Sequence, residues 1–208
     1  MTSELGKPLP AEEWGPTRRR TVEWHAPTLT TVKGRSMQGI DYLRAMMDGR
    51  LAPPPINALL QMEAMLVEPG RVALSCIPDE SMYNATGTIH GGIICTLLDT
   101  AAGCALLSTL PQGRGLTSVE IKVNYLKVVH PSSGILTAIG SVVRAGSRVG
   151  FTEATVTDAA GIVVATASST LLIFDLSNAA AISDGRKGLR SGELGQHAGG
   201  TDERVAGV

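Results

Sequence analysis

Aromatic side chains are nearly missing from this chain: two Trp, three Tyr and two Phe make up 3% of its 208 residues. Its hydrophobic fraction of 43% is therefore mostly Ala, Val, Leu and Ile. These are small or branched residues that suit strands and close helix–sheet packing. Cysteine is scarce as well. Cys76, Cys95 and Cys104 are odd in number, lack metal-type spacing and sit in apolar contexts. That excludes a disulfide framework and predicts reduced, buried thiols in a cytoplasmic protein. Net charge is lacking too, at −1, which removes the electrostatic reason to expect DNA, RNA or an anionic membrane as partner. The one dense basic run, Arg18-Arg19-Arg20, lies in a polar stretch and reads as a solvated tail. No apolar run reaches membrane-span length, and no basic-then-apolar segment opens the chain, so no membrane partner is expected.

What is present fits one domain with two tails. Residues 1–36 mix Pro, Arg, Thr and Trp without periodicity and read as a flexible arm, with Trp14 and Trp24 as candidate anchors. Residues 37–176 form the domain, and 177–208, rich in Gly, Ser, Ala and charge, read as a disordered tail. Within the domain, Ser36 stands as N-cap of a short helix carrying Ile40, Leu43, Met46 and Met47, stopped by Gly49. A second helical piece covers Ile56 to Leu60, after Pro53-Pro54-Pro55. Strands are predicted at 63–68 and 71–77, joined at Pro69-Gly70, then at 117–129, 135–145, 149–157 and 162–174. Between them, Ile93 to Ser108 is apolar almost all round, the mark of a buried helix too short to cross a membrane. An antiparallel sheet would have to curl around that helix, an α+β arrangement.

Two features break the rules of an ordinary core. His90-Gly91-Gly92 leads straight into the apolar helix. A helix start offers unpaired N–H groups and partial positive charge, and glycine lets a ligand approach the backbone. Such a place can polarise a carbonyl, though a plain tight turn would use the same residues. The second feature is Asp99, the only charge between His90 and Arg114. A carboxylate among Leu97-Leu98 and Ala101-Ala102 costs several kcal/mol unless paired, so it marks either a functional acid or one half of a remote ion pair. Eight residues separate Gly91 from Asp99, about 12 Å of helix rise. One helix cannot bring both to one carbonyl. Either a symmetric dimer shares each site, or the two features are unrelated.

The run Asn84-Ala85-Thr86-Gly87-Thr88-Ile89-His90-Gly91-Gly92, followed by Leu97-Leu98-Asp99, resembles the signature of hotdog-fold thioesterases of the phenylacetate-pathway (PaaI-like) type. The likeness covers about residues 40–175, including Thr117-Ser118-Val119-Glu120 and Asn124-Tyr125-Leu126. It implies a long helix wrapped by an antiparallel sheet, paired into a homodimer or homotetramer. It further implies acyl-CoA hydrolysis, with coenzyme A as part of the substrate and no other cofactor. By position, Asp99 would be general base or nucleophile and Gly91 N–H would hold the thioester oxygen. Asn84 and His90 would position the leaving side or a water, and Ser118 would orient the attacking water.

Other chemistries find no footing. There is no Gly-x-Ser-x-Gly elbow and no His-Glu-x-x-His zinc site. His25, His130 and His197 read as surface residues, and Cys95 as core. Gly146-Ser147-Arg148 reads as a turn between strands, with Arg148 or Arg144 as alternative ligands for coenzyme A phosphates and Lys122 and Lys127 behind them. A non-catalytic acyl-CoA binder or sensor is the rival reading. Sensors of this type carry a DNA-reading helical module, and residues 37–60 offer only short helices broken by three prolines.

Overall fold

The computed structural model describes residues 15–177. Trp14, His197 and the tail from 178 onward lie outside the described residues. Four helices and six strands follow one another: α1 (Thr28–Gly34), α2 (Gly39–Met47), α3 (Pro55–Leu60), β1 (Met62–Glu68), β2 (Arg71–Cys76), α4 (Gly91–Leu107), β3 (Arg114–Tyr125), β4 (Leu136–Ala145), β5 (Val149–Thr157) and β6 (Val163–Asp175). The strands form one antiparallel sheet in the order β1-β2-β4-β5-β6-β3. It wraps α4, as the hotdog expectation requires.

Alternation decides which side chains meet the helix. Val72, Leu74, Leu136, Ala138, Ala154, Val156, Val164 and Leu171 point inward and are almost fully buried. They close on Leu97, Leu98, Ala101, Ala105 and Leu106 of α4, none of which exposes any surface. Each buried leucine contributes about 2 kcal/mol of transfer free energy. Small residues set how closely the helix approaches. A Cβ at Gly140 of β4 would collide with the Ala101 carbonyl, and one at Gly150 of β5 with the Leu106 side chain. At the far end a Cβ at Gly39 would strike the Leu107 carbonyl, while Gly39 N donates to Leu110 O at 3.0 Å. α4 is thus held lengthwise at Gly39 and Gly140 by backbone contact, which side-chain repacking cannot relax, and at Gly150 by a leucine side chain.

Several expectations need correction. Ser36 is not the cap of α2. Its hydroxyl donates back to Lys33 O at 2.8 Å, and Gln38 takes the N-cap position. The arm is also structured over part of its length. Thr30 of α1 is buried and donates to Ala52 O, and the Arg20 guanidinium donates to Leu59 O and to Asp79 Oδ2 at 2.6 and 2.5 Å. Long-range contacts of this kind leave no periodic trace in sequence. The strand foreseen at 117–129 ends at Tyr125, because Leu126 N and Lys127 N both turn onto Val164 O. Finally, α4 is not buried all round. Cys95, Thr96, Asp99, Thr100, Gly103 and Cys104 form a half-exposed strip along it, so of the three thiols only Cys76 is fully buried. None of the helices among the described residues is long and apolar enough to cross a membrane.

Candidate active site

The segment before α4 is shaped by Asn84. Its Oδ1 accepts from Thr86 N, Thr86 Oγ1 and Thr88 N at 2.9, 2.7 and 3.2 Å, and its Nδ2 donates to Thr88 Oγ1 at 2.9 Å. Asparagine suits this because one side chain satisfies several turn amides. Gly87, at φ +75°, supplies the left-handed residue the turn needs. The chain then returns through a bridge between Tyr83 and Ile89 and enters α4. His90 caps the helix: its Nδ1 accepts from Gly92 N at 2.9 Å. An accepting Nδ1 places the ring proton of a neutral imidazole on Nε2, which faces outward as a donor. Gly91 N, at the first helical position, has no intrahelical acceptor.

Tyr125, at the end of β3, holds this helix start from the other side. Its hydroxyl donates to Gly91 O at 2.9 Å, and a Cβ at Gly91 would lie 3.2 Å from the ring. Sequence reasoning gave Tyr125 no role. The signal was available in Ile121, Val123 and Tyr125, which alternate onto one face. Beside Gly91, a cavity of about 240 Å³ is bordered by Thr88, Ile89, Tyr125, Leu126 and Val128.

Two turns along α4 stands Asp99. It is half-exposed, not buried without a partner as the apolar flanks suggested: Ser118 Oγ on β3 donates to Asp99 Oδ1 at 2.6 Å. A β-bulge makes this meeting possible. Ser118 pairs with Leu171 and Glu120 with Thr170, leaving Val119 as the extra residue. Strict alternation back from Ile121 would turn Ser118 outward; the extra residue flips it toward the helix. No other side chain among the described residues hydrogen-bonds Asp99, so Oδ2 is open. Neighbouring thiols respond to this charge. Burial pushes the Cys104 thiol up to about 12, with the Asp99 carboxylate adding to it, and both raise Cys95.

The other basic candidates lie apart. Arg144 and Arg148 are exposed at the hairpin between β4 and β5, which sits over the C-terminal end of α4 through Gly150 and Leu106. Lys127 donates to Asp158 Oδ2 at 3.1 Å, and Lys122 is exposed on edge strand β3. Arg20, read as part of a solvated run, instead ties the arm to Asp79, which also accepts from Gln61 Nε2, Ser81 N and Ser81 Oγ.

This geometry, with a helix start carrying Gly91 and a carboxylate–hydroxyl pair further along, has relatives. The thioesterase superfamily model matches residues 86–165, the segment holding His90, Gly91, Asp99, Ser118 and Tyr125. A proposed esterase of Halobacterium salinarum is 44% identical over 34% of this chain and 46% of its own length. A proposed esterase of Saccharolobus solfataricus is 32% identical over 51% of this chain and 74% of its own. Human acyl-coenzyme A thioesterase 13 is 32% identical over 44% and 64%. The chain therefore spans less than two thirds of the length of two of these three. Among solved structures, a thioesterase family protein of Silicibacter pomeroyi superposes with TM-score 0.58 at 27% identity, over 64% of this chain and 98% of that one. A Streptococcus mutans protein whose crystal structure is bound to acetyl-CoA superposes with TM-score 0.51 at 28% identity, over 55% and 89%. The Escherichia coli PaaI protein shares the fold, with TM-score 0.58 at 18% identity, over 67% and 96%. The motif, the wrapped helix and the breadth of the Saccharolobus match agree: this chain belongs to the thioesterase superfamily.

Proposed function

We propose that the protein hydrolyses acyl-CoA thioesters, water and thioester giving a free acid and coenzyme A. The observation that carries this reading is the 2.6 Å hydrogen bond from Ser118 Oγ to Asp99 Oδ1 on the half-exposed strip of α4. A hydroxyl that spends its proton on Oδ1 holds the carboxylate plane still and leaves Oδ2 for a water. Asp99 then removes the proton as that water attacks the carbonyl carbon, general-base help worth on the order of 10²–10⁴. Direct attack by the carboxylate is the other use of the same oxygen. The carbonyl oxygen, gaining charge, needs a donor, and Gly91 N–H at a helix start supplies one along with the favourable end of the dipole.

In our reading, two copies supply one site. Gly91 and Asp99 stand eight positions apart in one unbroken helix, about 12 Å along its axis. A second copy across the exposed edge strand β3 would bring its Gly91 to this Asp99 and make two equivalent sites. Val119, 59% exposed, Tyr125 and Lys122 lie along that edge. His90 Nε2–H and the loop ordered by Asn84 would then face the leaving sulfur. Arg144 and Arg148 are candidate contacts for the coenzyme A phosphates. The acetyl-CoA-bound Streptococcus mutans relative supports the carrier assignment. The test is free-thiol release from a panel of acyl-CoAs, run beside light scattering. Turnover in wild type, lost in Asp99→Asn, is expected from an assembly of at least two chains. An active monomer would remove the shared site.

A further inference from the structure

A second cavity lies beside the strip that carries Asp99, on the side of α4 turned away from β3. It measures about 240 Å³ and runs beneath α2 and α3. Leu43 and Met46 of α2, Met62 and Val67 of β1, and Thr100 and Cys104 of α4 line it. The last two matter most for function. Thr100 follows Asp99 directly, about 100° round the same helix turn, so one wall of the cavity is the residue next to the candidate catalytic carboxylate along α4.

We infer that this cavity receives the acyl chain of the substrate and selects unbranched aliphatic groups of medium length. The inference rests on the assignment of Asp99 to thioester hydrolysis and names the substrate class for that site. Chemistry of the wall supports it. Leucine, valine and methionine dominate; Asn57 of α3 and Glu63 of β1 add polar groups, and the two that α4 contributes are already satisfied or uncharged. Thr100 Oγ1 donates to Thr96 O at 2.7 Å, and the Cys104 thiol stays protonated at neutral pH. No lysine or arginine lines the cavity, so nothing there would hold a phosphate or carboxylate. Glu63 stands at the rim and would repel an acyl group ending in a second carboxylate.

Size sets the length. An apolar cavity of roughly 150 Å³ already accepts benzene. At about 240 Å³ this cavity is roughly 1.6 times that size, room for about eight to ten carbons on the same scale. Methionine gives the wall its shape on two elements, α2 and β1. Its three rotatable bonds let it follow a flexible chain, where a flat ring would need a fixed slot.

The experiment is a chain-length series of saturated acyl-CoAs, from acetyl to dodecanoyl, with phenylacetyl-CoA and glutaryl-CoA as further arms. For wild type, kcat/KM should rise about fourfold per methylene, the factor that ~0.8 kcal/mol of methylene burial gives, and level off near eight carbons. Ala64→Leu fills the cavity from β1, where Ala64 is part of the wall. It should cut kcat/KM for octanoyl-CoA at least tenfold and leave acetyl-CoA within twofold. Met46→Ala enlarges the cavity from α2 and should move the optimum about two carbons longer, which keeps the test alive if Ala64→Leu fails to fold. A flat length profile overturns the inference. So does a preference for phenylacetyl-CoA, or equal losses on acetyl and octanoyl substrates in a folded Ala64→Leu variant. If no acyl-CoA releases thiol, the hydrolysis reading fails and the cavity is judged separately by calorimetry with non-hydrolysable S-octyl-CoA and S-ethyl-CoA. Tighter binding of the octyl thioether, abolished by Ala64→Leu, upholds the cavity assignment, and equal affinities overturn it.

Discussion

Removing Asp99 and Ser118 singly and together tests the site at its centre. Asp99→Asn keeps an acceptor at Oδ1 for the Ser118 hydroxyl but loses the base at Oδ2, so turnover should fall by ~10²–10⁴. Ser118→Ala loses one hydrogen bond to a charged group, worth ~1.5–3 kcal/mol where buried. Ser118 is exposed in the single chain, so the lower end applies and the loss should be about tenfold. The 2.6 Å contact is direct. Once Asp99 is Asn, orienting it achieves little, and the double variant should be no slower than Asp99→Asn within about threefold. Stability should hardly move. Asp99 is half-exposed and partnered, so Asn in its place should shift stability by less than about 1 kcal/mol, or ~2–4 °C in Tm for a domain of this size. Thiol-release kinetics on the four proteins and their thermal melts supply the data. Multiplicative losses, with the double variant about tenfold below Asp99→Asn, would mean that Ser118 acts independently of Asp99. Full activity in a folded Asp99→Asn variant would exclude the mechanism.

Four further outcomes follow from named contacts. Mixing Asp99→Asn chains with Asn84→Ala chains should restore one working site per mixed dimer, reaching about a quarter of wild-type activity in a statistical mixture. No recovery, with mixing confirmed by mass spectrometry, would put both residues in one protomer's site. Tyr125→Phe should lower kcat several-fold with KM little changed, because the lost bond to Gly91 O steadies the helix start; an unchanged kcat would show that Gly91 holds its place without it. Gly140→Ala should destabilise the fold by ~1–3 kcal/mol in urea unfolding, since its methyl must displace the Ala101 carbonyl. Burial pushes the Asp79 carboxyl up, but hydrogen bonds from Ser81 and from the Arg20 guanidinium outweigh it and hold the group below its ordinary value. The stabilisation is therefore present above the unfolded value, near 3.8, and is lost as pH falls through the lower folded one. Asp79→Asn should flatten acid unfolding below about pH 4, and an unchanged acid limb would show that the arm contact carries no stability.

The elements themselves were legible because their signals are local. Alternation marked β2, β4, β5 and β6, turn residues marked Pro69-Gly70, and the apolar run marked α4. Asp99 stood out because no other charge lies near it in sequence. What escaped depends on contacts between distant segments. The partner of Asp99 comes from β3 nineteen residues later, through a bulge that shifts side-chain parity at Val119. Tyr125 reaches across thirty-four residues to Gly91, and Arg20 across fifty-nine to Asp79. The half-exposed strip of α4 misled for a related reason. Cysteine, threonine and glycine look core-like by composition, yet small residues suit a helix face kept clear for a ligand or a second chain.

The three glycines that seat α4 bear on how such a protein can change. Gly39, Gly140 and Gly150 meet α4 at its carbonyls or at a core leucine, so they act as stops along a rod. A larger residue at any of them would shift the whole helix, moving Gly91 and Asp99 together and out of step with Tyr125 and Ser118. Gly39 apart, the cavity-lining side chains of α2 and β1, such as Met46 and Ala64, are not among these stops. Side chains there can grow or shrink without shifting the rod. On the proposed assignments, the same scaffold can thus drift in what it accepts while the spacing of Gly91 and Asp99 stays fixed.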